Sequence, residues 1–423
     1  EHIRMSDRMQ NLLPAAALLA CVFLGILLVA GSAVLITVEF DEAWILASLQ
    51  QKLDSAAVPR VNNVMTTGGV HHLVVGALTS AGLSVALAGR IFSGVCLLLL
   101  LLVLQRECRR WELTSGQSLF VLSMAFAAPG TVFLAGQAYG VVPGMFLFTV
   151  AMILWSRHDP APDITSALWI GVCLGLAIST RLTYLPLLPV FVLFALLTPG
   201  ARRAALQAAT VVTLTAAIVF AIGIVLHMWT APESVLSIEE NLRVNIHSAG
   251  LDMTFKSLGR SLAFMVKYVM LVPIPLALGA LLLAWCNVMP LSPSLQRFVR
   301  LAIFCAVLML LAWLLRSPFQ HIRYIWPSIF LVFIVGGVGL AIAHERLRQV
   351  GKAGLAVLVL MVPLGLTVQT QLTNIRLIVL GSATEAKAAG QNNLENHYTP
   401  LRRIEEEKAI VDFLKDNIHP GEQ

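Results

Sequence analysis

Long apolar segments alternate with short polar ones along almost the whole chain. A helix needs roughly 20 apolar residues to cross a hydrocarbon core of about 30 Å, and most of these segments reach or approach that length. About eleven of them can be drawn, at 12–38, 86–105, 117–137, 138–156, 164–180, 182–199, 204–229, 261–285, 299–316, 322–344 and 351–371. The pattern therefore predicts an all-α polytopic membrane protein with about eleven transmembrane helices.

Basic residues cluster in every second polar segment between these apolar runs. The clusters contain Arg4, Arg8, Arg106, Arg109, Arg110, Arg157, Arg202, Arg203, Arg297, Arg300, Arg346, Arg348 and Lys352. Because cytoplasmic loops carry an excess of lysine and arginine, these segments are predicted to face the cytoplasm. The N-terminus would then be cytoplasmic, and the C-terminal tail 372–423 would lie on the other side.

Residues 70–105 form an apolar stretch that is too long for one span. Two spans here would place the basic cluster at 106–110 outside and invert every later segment, which the charge distribution disfavours. We therefore expect a helix on the outer surface at about 70–84, followed by one span that begins near Arg90. Apolar residues at helical spacing predict another interfacial helix within 42–53.

The segments group into a transmembrane domain and a tail. The domain is predicted to cover residues 1–371, with its interfacial helices in the outer segment 39–85 and a polar outer loop at 230–260. The tail 372–423 is mostly polar and is predicted to be extracytoplasmic. It reaches Gln423 without a recognisable domain end, so we expect the natural chain to continue into a longer soluble region.

Composition and charge distribution exclude two other classes of protein. The 423 residues are 58% hydrophobic and 12% charged, with a mean hydropathy of +0.82. A soluble domain carries roughly a quarter charged residues because its surface faces water. The net charge of +6 is divided among short clusters between apolar runs rather than forming a basic stripe with aromatic residues, which excludes nucleic acid as a partner. The lipid bilayer is the predicted environment.

Two adjacent carboxylates, Asp41 and Glu42, directly follow the first apolar run. Partial desolvation beside a membrane raises the pKa of a carboxyl group toward neutral pH, where the group can act as a general base. The same residues also suit the start of a helix, with Asp41 as N-cap and Glu42 stabilised by the helix dipole. Spacing alone leaves both interpretations open.

Two predicted outer corners carry arginines and so depart from the positive-inside pattern. At the first corner, Arg181 lies between two spans with almost no loop around it, and Tyr184 follows. The second corner, at 316–324, contains Arg316, His321, Arg323 and Tyr324. Guanidinium groups bind phosphate oxygens in a bidentate geometry, so an anionic lipid headgroup would account for both corners. Interfacial anchoring by snorkelling side chains is the alternative.

Three further polar residues lie in apolar surroundings. Lys267 falls deep within a predicted span, where an unpaired charge costs roughly 2.5–3.5 kcal/mol, so it is predicted to face a cavity or a carboxylate. His71 and His72 could contact a substrate or a divalent metal. Adjacent residues on a helix point in different directions, which disfavours ligation of one metal by both histidines. No cofactor is therefore predicted with certainty, and a divalent metal stays an alternative.

Taken together, these positions resemble the GT-C superfamily of glycosyltransferases. Its members use polyprenyl-phosphate sugars and include protein O-mannosyltransferases and the aminoarabinose transferases of lipid A. The acidic pair that follows the first span in this family matches Asp41 and Glu42. The family's Arg-Leu-Pro-Ser-like start of the second span is similar to Arg90-Ile91-Phe92-Ser93. Two further motifs, Gly-Leu-Ala-x-x-Thr-Lys and Arg-Tyr-x-x-Pro, are similar to residues 175–181 and 323–327, with arginine in place of the lysine.

The chain departs from many GT-C sequences at two places. Residues 68–73 read Gly-Gly-Val-His-His-Leu where relatives have a Pro-Pro-Leu-Tyr stretch. Residues 136–140 read Gly-Gln-Ala-Tyr-Gly where relatives carry charged residues. At these two places the family pattern therefore does not assign the substrate or a metal requirement to this chain.

The resemblance implies a lipid-phosphate-sugar-dependent hexosyl- or pentosyltransferase of a bacterial inner membrane. Its active site would face the periplasm or the cell exterior, and its acceptor would be a glycan, a lipid or a protein. Asp41 or Glu42 would act as general base in an inverting transfer. The substrate-binding residues would be Arg90, Arg181, Tyr184, Lys267, Arg316, His321, Arg323, Tyr324, His71 and His72.

Two other functions remain open. A membrane transporter or lipid flippase would explain Lys267, but transporters place ionisable residues and broken helices near the midplane, often in two matching halves. Most charges here lie at outer corners, and no matching halves are recognisable. A noncatalytic scaffold that binds partners through its tail is the third possibility.

Overall fold

The fold is that of a computed structural model, which describes residues 2–35, 69–197, 202–230, 291–316 and 322–368, apart from the single positions 353, 363 and 367. Every element of regular structure in these ranges is a helix, as predicted. The predicted span 261–285, nearly all of the predicted outer loop 230–260 and the tail 372–423 lie outside the described residues.

The helices follow one another with short connections. In chain order they are α1 (His2–Leu35), α2 (Gly69–Ser80), α3 (Val85–Arg110), α4 (Ser115–Ala127), α5 (Thr131–Ala135), α6 (Val141–Ser156), α7 (Ile164–Thr180), α8 (Val190–Leu196), α9 (Arg202–Thr230), α10 (Pro293–Arg316) and α11 (Ile322–Gln349). A 3-10 helix, Leu182–Leu187, connects α7 to α8. A further short apolar helix covers Gly354–Leu366.

Four of the described helices are long and apolar enough to cross a membrane. They cover Val85–Arg110, Arg202–Val225, Pro293–Ala312 and Ile325–Gln349. Six shorter apolar helices accompany them in the described ranges. The all-helical architecture with several membrane-length helices is therefore confirmed, whereas the total of about eleven spans and the external side of the tail stay predictions.

Helix α7 packs closely on α9 at two glycine positions. Gly171 and Gly175 lie four residues apart on α7. A Cβ atom at Gly171 would lie 2.6 Å from Thr215 Cβ, and one at Gly175 would lie 2.7 Å from the carbonyl oxygen of Ala216. Small residues at this spacing let two helix backbones approach closely inside a membrane, where packing drives association. The contact fixes the C-terminal end of α7, where Thr180 is buried.

An ion-pair cluster around the buried Glu107 carboxylate joins the helix ends on the predicted cytoplasmic side. Glu107 in the last turn of α3 is buried, and its carboxylate accepts hydrogen bonds from both Arg157 Nε, at 3.2 Å, and Arg157 Nη2. Arg110 Nη1 donates to the same carboxylate at 3.3 Å. Nearby, Arg297 at the start of α10 pairs with Asp159 at 2.9 Å. The cluster therefore ties α3, α10 and the α6–α7 connection together.

The prediction of one continuous span over 117–137 is wrong. Helix α4 ends at Ala127, and Pro129 and Gly130 separate it from the five-residue helix α5. Gly130 has a φ of +87°, a left-handed conformation that glycine adopts without steric cost and that interrupts a right-handed helix. All residues from 131 to 142 are buried, so the interruption lies inside the protein. The apolar composition of this stretch conceals the break.

The predicted span over 182–199 is also interrupted. Pro186 lies inside the 3-10 helix Leu182–Leu187, and Pro189 precedes α8. Proline lacks a backbone N–H and clashes with the preceding turn, so an α-helix does not continue through this pair. The prediction of 164–180 agrees with α7, which begins after Asp163, whose carboxylate accepts a hydrogen bond from Ser166 N at 2.8 Å.

The helix expected at about 70–84 is present as α2 and ends at Ser80. Helix α3 begins at Val85, one residue earlier than the predicted span, and Ser84 caps it by accepting a hydrogen bond from Leu87 N at 3.4 Å. Residues 70–105 are therefore one short helix and one long one, as the charge distribution indicated.

Candidate functional site

The buried residues 136–140, here called the central turn, connect α5 to α6. Gly136 caps the end of α5, and Gly140 caps the start of α6 with a φ of +70°. Gln137 and Tyr139 between them are no more than 1% exposed. Polar residues held inside a helical bundle are costly to desolvate, so they are kept where they make hydrogen bonds or contribute to a site.

Arg90 reaches the central turn from the first part of α3. Its side chain is buried, and Nη2 donates a hydrogen bond to Gln137 Oε1 at 3.3 Å. Nη1 donates to the carbonyl oxygen of Ala33 at 2.9 Å, near the end of α1. Ala33 precedes Asp41 by eight residues, so Arg90 lies close to the chain segment that leads to the predicted catalytic acids.

Arg181, at the C-terminal cap of α7, also reaches the central turn. It is 1% exposed, and Nη1 donates a hydrogen bond to the carbonyl oxygen of Tyr139. Nε donates to Thr183 Oγ1 at 3.2 Å, and the guanidinium carbon lies 5.7 Å from the centroid of the Tyr139 ring. These contacts fix the orientation of the guanidinium group before any ligand arrives.

His71, in the first turn of α2, packs on the same turn. A Cβ atom at Gly140 would lie 3.1 Å from His71 Cδ2 and 3.1 Å from the carbonyl oxygen of Thr180. The ring is fully buried and lies 5.9 Å from the ring of Phe92, centroid to centroid. Burial, together with the positive charge of Arg181, lowers the pKa of His71 to about 3, so its imidazole is neutral at physiological pH.

Tyr184 stabilises the start of α6 beside the central turn. Its hydroxyl donates a hydrogen bond to the carbonyl oxygen of Val141 at 2.6 Å, and its ring is buried. A Cβ atom at Gly144 would lie 2.4 Å from Tyr184 Cε2, so only glycine leaves room for this ring. Contact of Tyr184 with a substrate stays a prediction.

The second predicted arginine corner is connected to this region through Trp326. Its indole Nε1 donates a hydrogen bond to Thr131 Oγ1 at 3.1 Å, and both side chains are buried. Thr131 begins α5, which leads directly into the central turn. Arg323 and Tyr324 belong to the first turn of α11, one turn before Trp326. Trp326 of the 323–327 motif therefore contacts the start of α5.

The other predicted site residues are distributed as follows. Arg316 is the last residue of α10. His72 is buried next to His71, with the two ring centroids 6.0 Å apart. Asp41, Glu42, Lys267 and His321 lie outside the described residues. Within the described ranges, no group of three His, Cys, Asp or Glu side chains is arranged to hold a metal ion.

Three residues of the site were missed by the sequence analysis: Gln137, Tyr139 and Thr183. Gln137 and Tyr139 lie within a departure from the family pattern, and Thr183 lies two residues after Arg181. The available signal was the pair of glycines around two polar residues in an apolar stretch, which is typical of a tight turn that approaches another backbone.

The arrangement combines two buried guanidinium groups and a neutral imidazole around one turn. Fixed N–H donors of this kind suit a phosphate or another anion, because guanidinium groups bind such oxygens in a defined geometry. A neutral imidazole instead suits an uncharged polar group. The arrangement therefore suits a ligand with both an anionic and a neutral polar part.

The chain is similar in sequence to a known family and in fold to solved structures. A sequence model of glycosyltransferase family 87 matches residues 71–318. The crystal structure of ArnT from Cupriavidus metallidurans bound to undecaprenyl phosphate has a TM-score of 0.51 and 19% sequence identity to this chain. The match covers 82% of this chain and 63% of ArnT. The structure of the same ArnT in the apo state gives a TM-score of 0.53 and 18% identity, over 82% and 62% of the two chains.

These likenesses establish the fold rather than the substrate. The chain spans a little under two thirds of the length of ArnT. No curated protein matches the chain significantly in sequence. The fold of ArnT and the family match together confirm the resemblance to the GT-C membrane glycosyltransferases.

Proposed function

The chain belongs to glycosyltransferase family 87, and from this premise we propose that it transfers a sugar from a polyprenyl-phosphate donor to an acceptor hydroxyl. The reaction would take place on the extracytoplasmic face of a bacterial inner membrane, with the N-terminus in the cytoplasm. The acceptor would be part of a glycan, a lipid or a protein.

The convergence of Arg90 and Arg181 on the central turn supports this proposal most strongly. The two arginines are 91 positions apart in the sequence, yet both donate hydrogen bonds to the central turn. A buried guanidinium group that is oriented in advance can stabilise negative charge without reorganising during the reaction. In this proposal the donor's phosphate binds between the two arginines.

A polyprenyl phosphate is the donor lipid that best fits the comparisons. The ArnT structure that shares the fold was determined with undecaprenyl phosphate bound. A phosphodiester linking a sugar to a long apolar chain also suits a site whose arginines lie among apolar, membrane-length helices. The lipid tail would remain in the bilayer while the sugar and phosphate reach the central turn.

The proposed mechanism assigns the proton transfer to the acidic pair after α1. Asp41 or Glu42 accepts the proton of the acceptor hydroxyl while its oxygen forms a bond to the anomeric carbon of the sugar. The bond between that carbon and the phosphate oxygen breaks, and the configuration at the carbon inverts. The polyprenyl phosphate leaves with the electron pair, and Arg90 and Arg181 stabilise its developing charge.

The second arginine corner would complete the phosphate site from the side of α11. The hydrogen bond from Trp326 to Thr131 supports this assignment, because it brings the start of α11 against the segment that leads into the central turn. In the proposal, the donor phosphate or the departing lipid phosphate is contacted by Arg316, His321, Arg323 and Tyr324. Lys267 is also assigned to substrate binding. A divalent metal stays an alternative to these cations.

The experiment is sugar transfer by purified protein in nanodiscs, using a panel of polyprenyl-phosphate hexoses and pentoses. Wild type is compared with Asp41→Asn, Glu42→Gln and Arg181→Lys. Loss of the general base is expected to lower the transfer rate by about 10²- to 10⁴-fold. Arg181→Lys keeps the charge but removes the fork of donors, and is expected to lower the rate by about 10²-fold.

The control is Asp163→Asn, which alters an exposed N-cap carboxylate far along the chain from the site and keeps a good capping residue. This variant is expected to retain full activity. Full activity in both acidic variants would refute the assignment of the base. If wild type transferred no sugar from any donor but moved lipid across proteoliposomes, a flippase would replace the transferase.

A further inference from the structure

His71 is a buried polar residue of the site to which the proposed mechanism assigns no role. Both ring nitrogens, Nδ1 and Nε2, lack a hydrogen-bond partner among the described residues, and the side chain is fully buried. Buried polar atoms are normally paired, so an unpaired one in a native protein requires an explanation. Two such atoms on one ring, beside a candidate site, indicate that a ligand supplies their partners.

The position of the ring is fixed tightly by its neighbours. A Cβ atom at Gly140 would lie 3.1 Å from His71 Cδ2, a tighter contact than most side chains make. The ring of Phe92 lies 5.9 Å away, and that of His72 lies 6.0 Å away. His71 is therefore held against the same turn to which Arg181 donates a hydrogen bond.

The chemistry of the missing partner follows from the charge of the ring. A neutral imidazole offers one N–H donor and one lone-pair acceptor. A phosphate diester only accepts hydrogen bonds, so it would satisfy one nitrogen and leave the other unpaired. A hydroxyl group both donates and accepts, as do the hydroxyls of a sugar. The nearby arginines suit the anionic part of the donor, and His71 suits its neutral part.

We propose that His71 binds a hydroxyl group of the sugar that is transferred and thereby contributes to the choice of sugar. This inference rests on the proposed function and extends it from the phosphate to the sugar. The sugar of the donor is preferred to the acceptor because it is covalently attached to the phosphate that Arg181 would bind. Sites built to bind a hydroxyl strongly reject analogues that lack it, because their own polar groups then stay unpaired.

The test combines a variant of the protein with deletion of single hydroxyl groups from the donor. The donor is the one that wild type uses from the polyprenyl-phosphate panel, and its monodeoxy analogues form the series. His71→Leu is expected to lower kcat/KM for the intact donor by about 10- to 100-fold. The affinity for undecaprenyl phosphate, which has no sugar, is expected to change by less than about twofold. For one monodeoxy donor, kcat/KM should already be low with wild type, and His71→Leu should not lower it further.

Two further variants keep the test decisive. His71→Asn and His71→Gln each retain one donor and one acceptor, and one of the two is expected to recover part of the activity. Thr149→Val is the matched control, because Thr149 Oγ1 is also buried without a hydrogen-bond partner but lies in α6 outside the site. Both His71→Leu and Thr149→Val are expected to raise the melting temperature of the ligand-free protein. Only His71→Leu should lower activity.

The outcomes separate this inference from the proposed function. If wild type transfers sugar and His71→Leu is equally active, the inference is wrong and the proposed function stands. The assignment to the donor sugar is also overturned if His71→Leu lowers kcat/KM further with every monodeoxy donor. It is overturned as well if the effect of His71→Leu disappears only when a hydroxyl is removed from the acceptor. If wild type transfers no sugar at all, both are wrong.

Discussion

Arg90 and Gln137, 47 positions apart in the sequence, are joined inside the protein by a 3.3 Å hydrogen bond from the guanidinium Nη2 to the amide Oε1. Arg90 also donates to the carbonyl oxygen of Ala33 at 2.9 Å. One side chain therefore connects the end of α1, the first part of α3 and the central turn. The end of α1, which precedes the predicted base in the sequence, and the central turn are thus held by the same side chain.

Replacing Gln137 by methionine tests the structural part of this relationship. Gln137→Met removes the acceptor from a buried charged donor, and the free energy of unfolding is expected to fall by about 1–3 kcal/mol. Affinity for undecaprenyl phosphate should also fall, because Arg90 is no longer held toward the site. Thermal unfolding and lipid titration in nanodiscs measure the two effects.

The matched control is Gln349→Met, since the hydrogen bond from Gln349 to Glu345 is exposed and contributes little. An unchanged melting temperature in Gln137→Met would mean that the Arg90–Gln137 hydrogen bond does not hold the central turn.

Gly140 provides a second test of the central turn, because two requirements meet there. Its φ of +70° is unfavourable for other residues, and a Cβ atom would lie 3.1 Å from both His71 Cδ2 and the Thr180 carbonyl oxygen. Left-handed backbone costs a non-glycine residue roughly 1–2 kcal/mol. Gly140→Ala is expected to lose this free energy of unfolding together with most of the transfer activity, because His71 and Arg181 must shift.

Comparison with Gly351→Ala separates the effect of packing from that of backbone strain. Gly351 has a φ of +73°, but nothing lies within 4 Å of a Cβ atom built there. The backbone strain should therefore be similar in the two variants, and only Gly140→Ala should also disturb the site. Equal losses of stability and activity in the two variants would contradict the close packing of His71 on the central turn.

The sequence was sufficient to predict the elements whose boundaries are set locally. Helix α7 agrees with the predicted 164–180, because Asp163 caps a continuous apolar run. The breaks after Ala127 and around Pro189 were missed, because they lie inside apolar stretches whose composition is the same on both sides. Hydropathy indicates that a segment is apolar, and it does not distinguish a continuous span from a buried stretch with a break in it.

The candidate site was predictable residue by residue but not as an arrangement. His71, Arg90 and Arg181 were each recognised as unusual polar residues, whereas Gln137 and Tyr139 were not recognised as their common neighbours. Contacts between residues 42 to 47 positions apart depend on how the helices pack. Gly171 and Gly175, four positions apart, indicate a close helix contact but not which helix is the partner. The roles of Asp41 and Glu42 stay predictions.

Glu107 offers a prediction about stability alone, at the predicted cytoplasmic end. Its carboxylate is 1% exposed, while Arg157 and Arg110 are 33% and 44% exposed. Glu107→Gln leaves Arg157 without its anionic partner, and the free energy of unfolding is expected to fall by about 1–3 kcal/mol. The partly exposed arginines can turn to water, which keeps the loss below that of a fully buried pair.

Transfer activity of Glu107→Gln, measured below its melting temperature, should remain close to that of wild type, because the cluster lies at the other end of α3 from Arg90. Glu345→Gln, on the exposed part of α11, serves as the control and should leave both properties unchanged. A loss of activity without a loss of stability in Glu107→Gln would contradict the structural role of the cluster.

Because the pKa of His71 is low in the folded protein, we expect the free energy of unfolding to depend on pH in acid. Burial and the charge of Arg181 lower its pKa to about 3 in the folded protein, whereas an unfolded chain has a histidine pKa near 6.5. Between these two values the unfolded state binds a proton that the folded state does not. Stability therefore rises with pH in this window and falls as the pH is lowered from about 6.5 toward 3, by up to about 1.4 kcal/mol per pH unit. Above pH 6.5 the residue is neutral in both states and contributes no dependence.

Thermal unfolding of wild type, His71→Leu and Thr149→Val between pH 7.5 and about 4.5 measures this contribution. Wild type and Thr149→Val should lose melting temperature in parallel as the pH falls, because both retain His71. His71→Leu should follow a shallower curve, so that its advantage over wild type grows below pH 6.5. Parallel curves for all three proteins would mean that His71 takes up a proton as readily in the folded protein as in the unfolded chain, and the neutral imidazole required for binding a sugar hydroxyl would be lost.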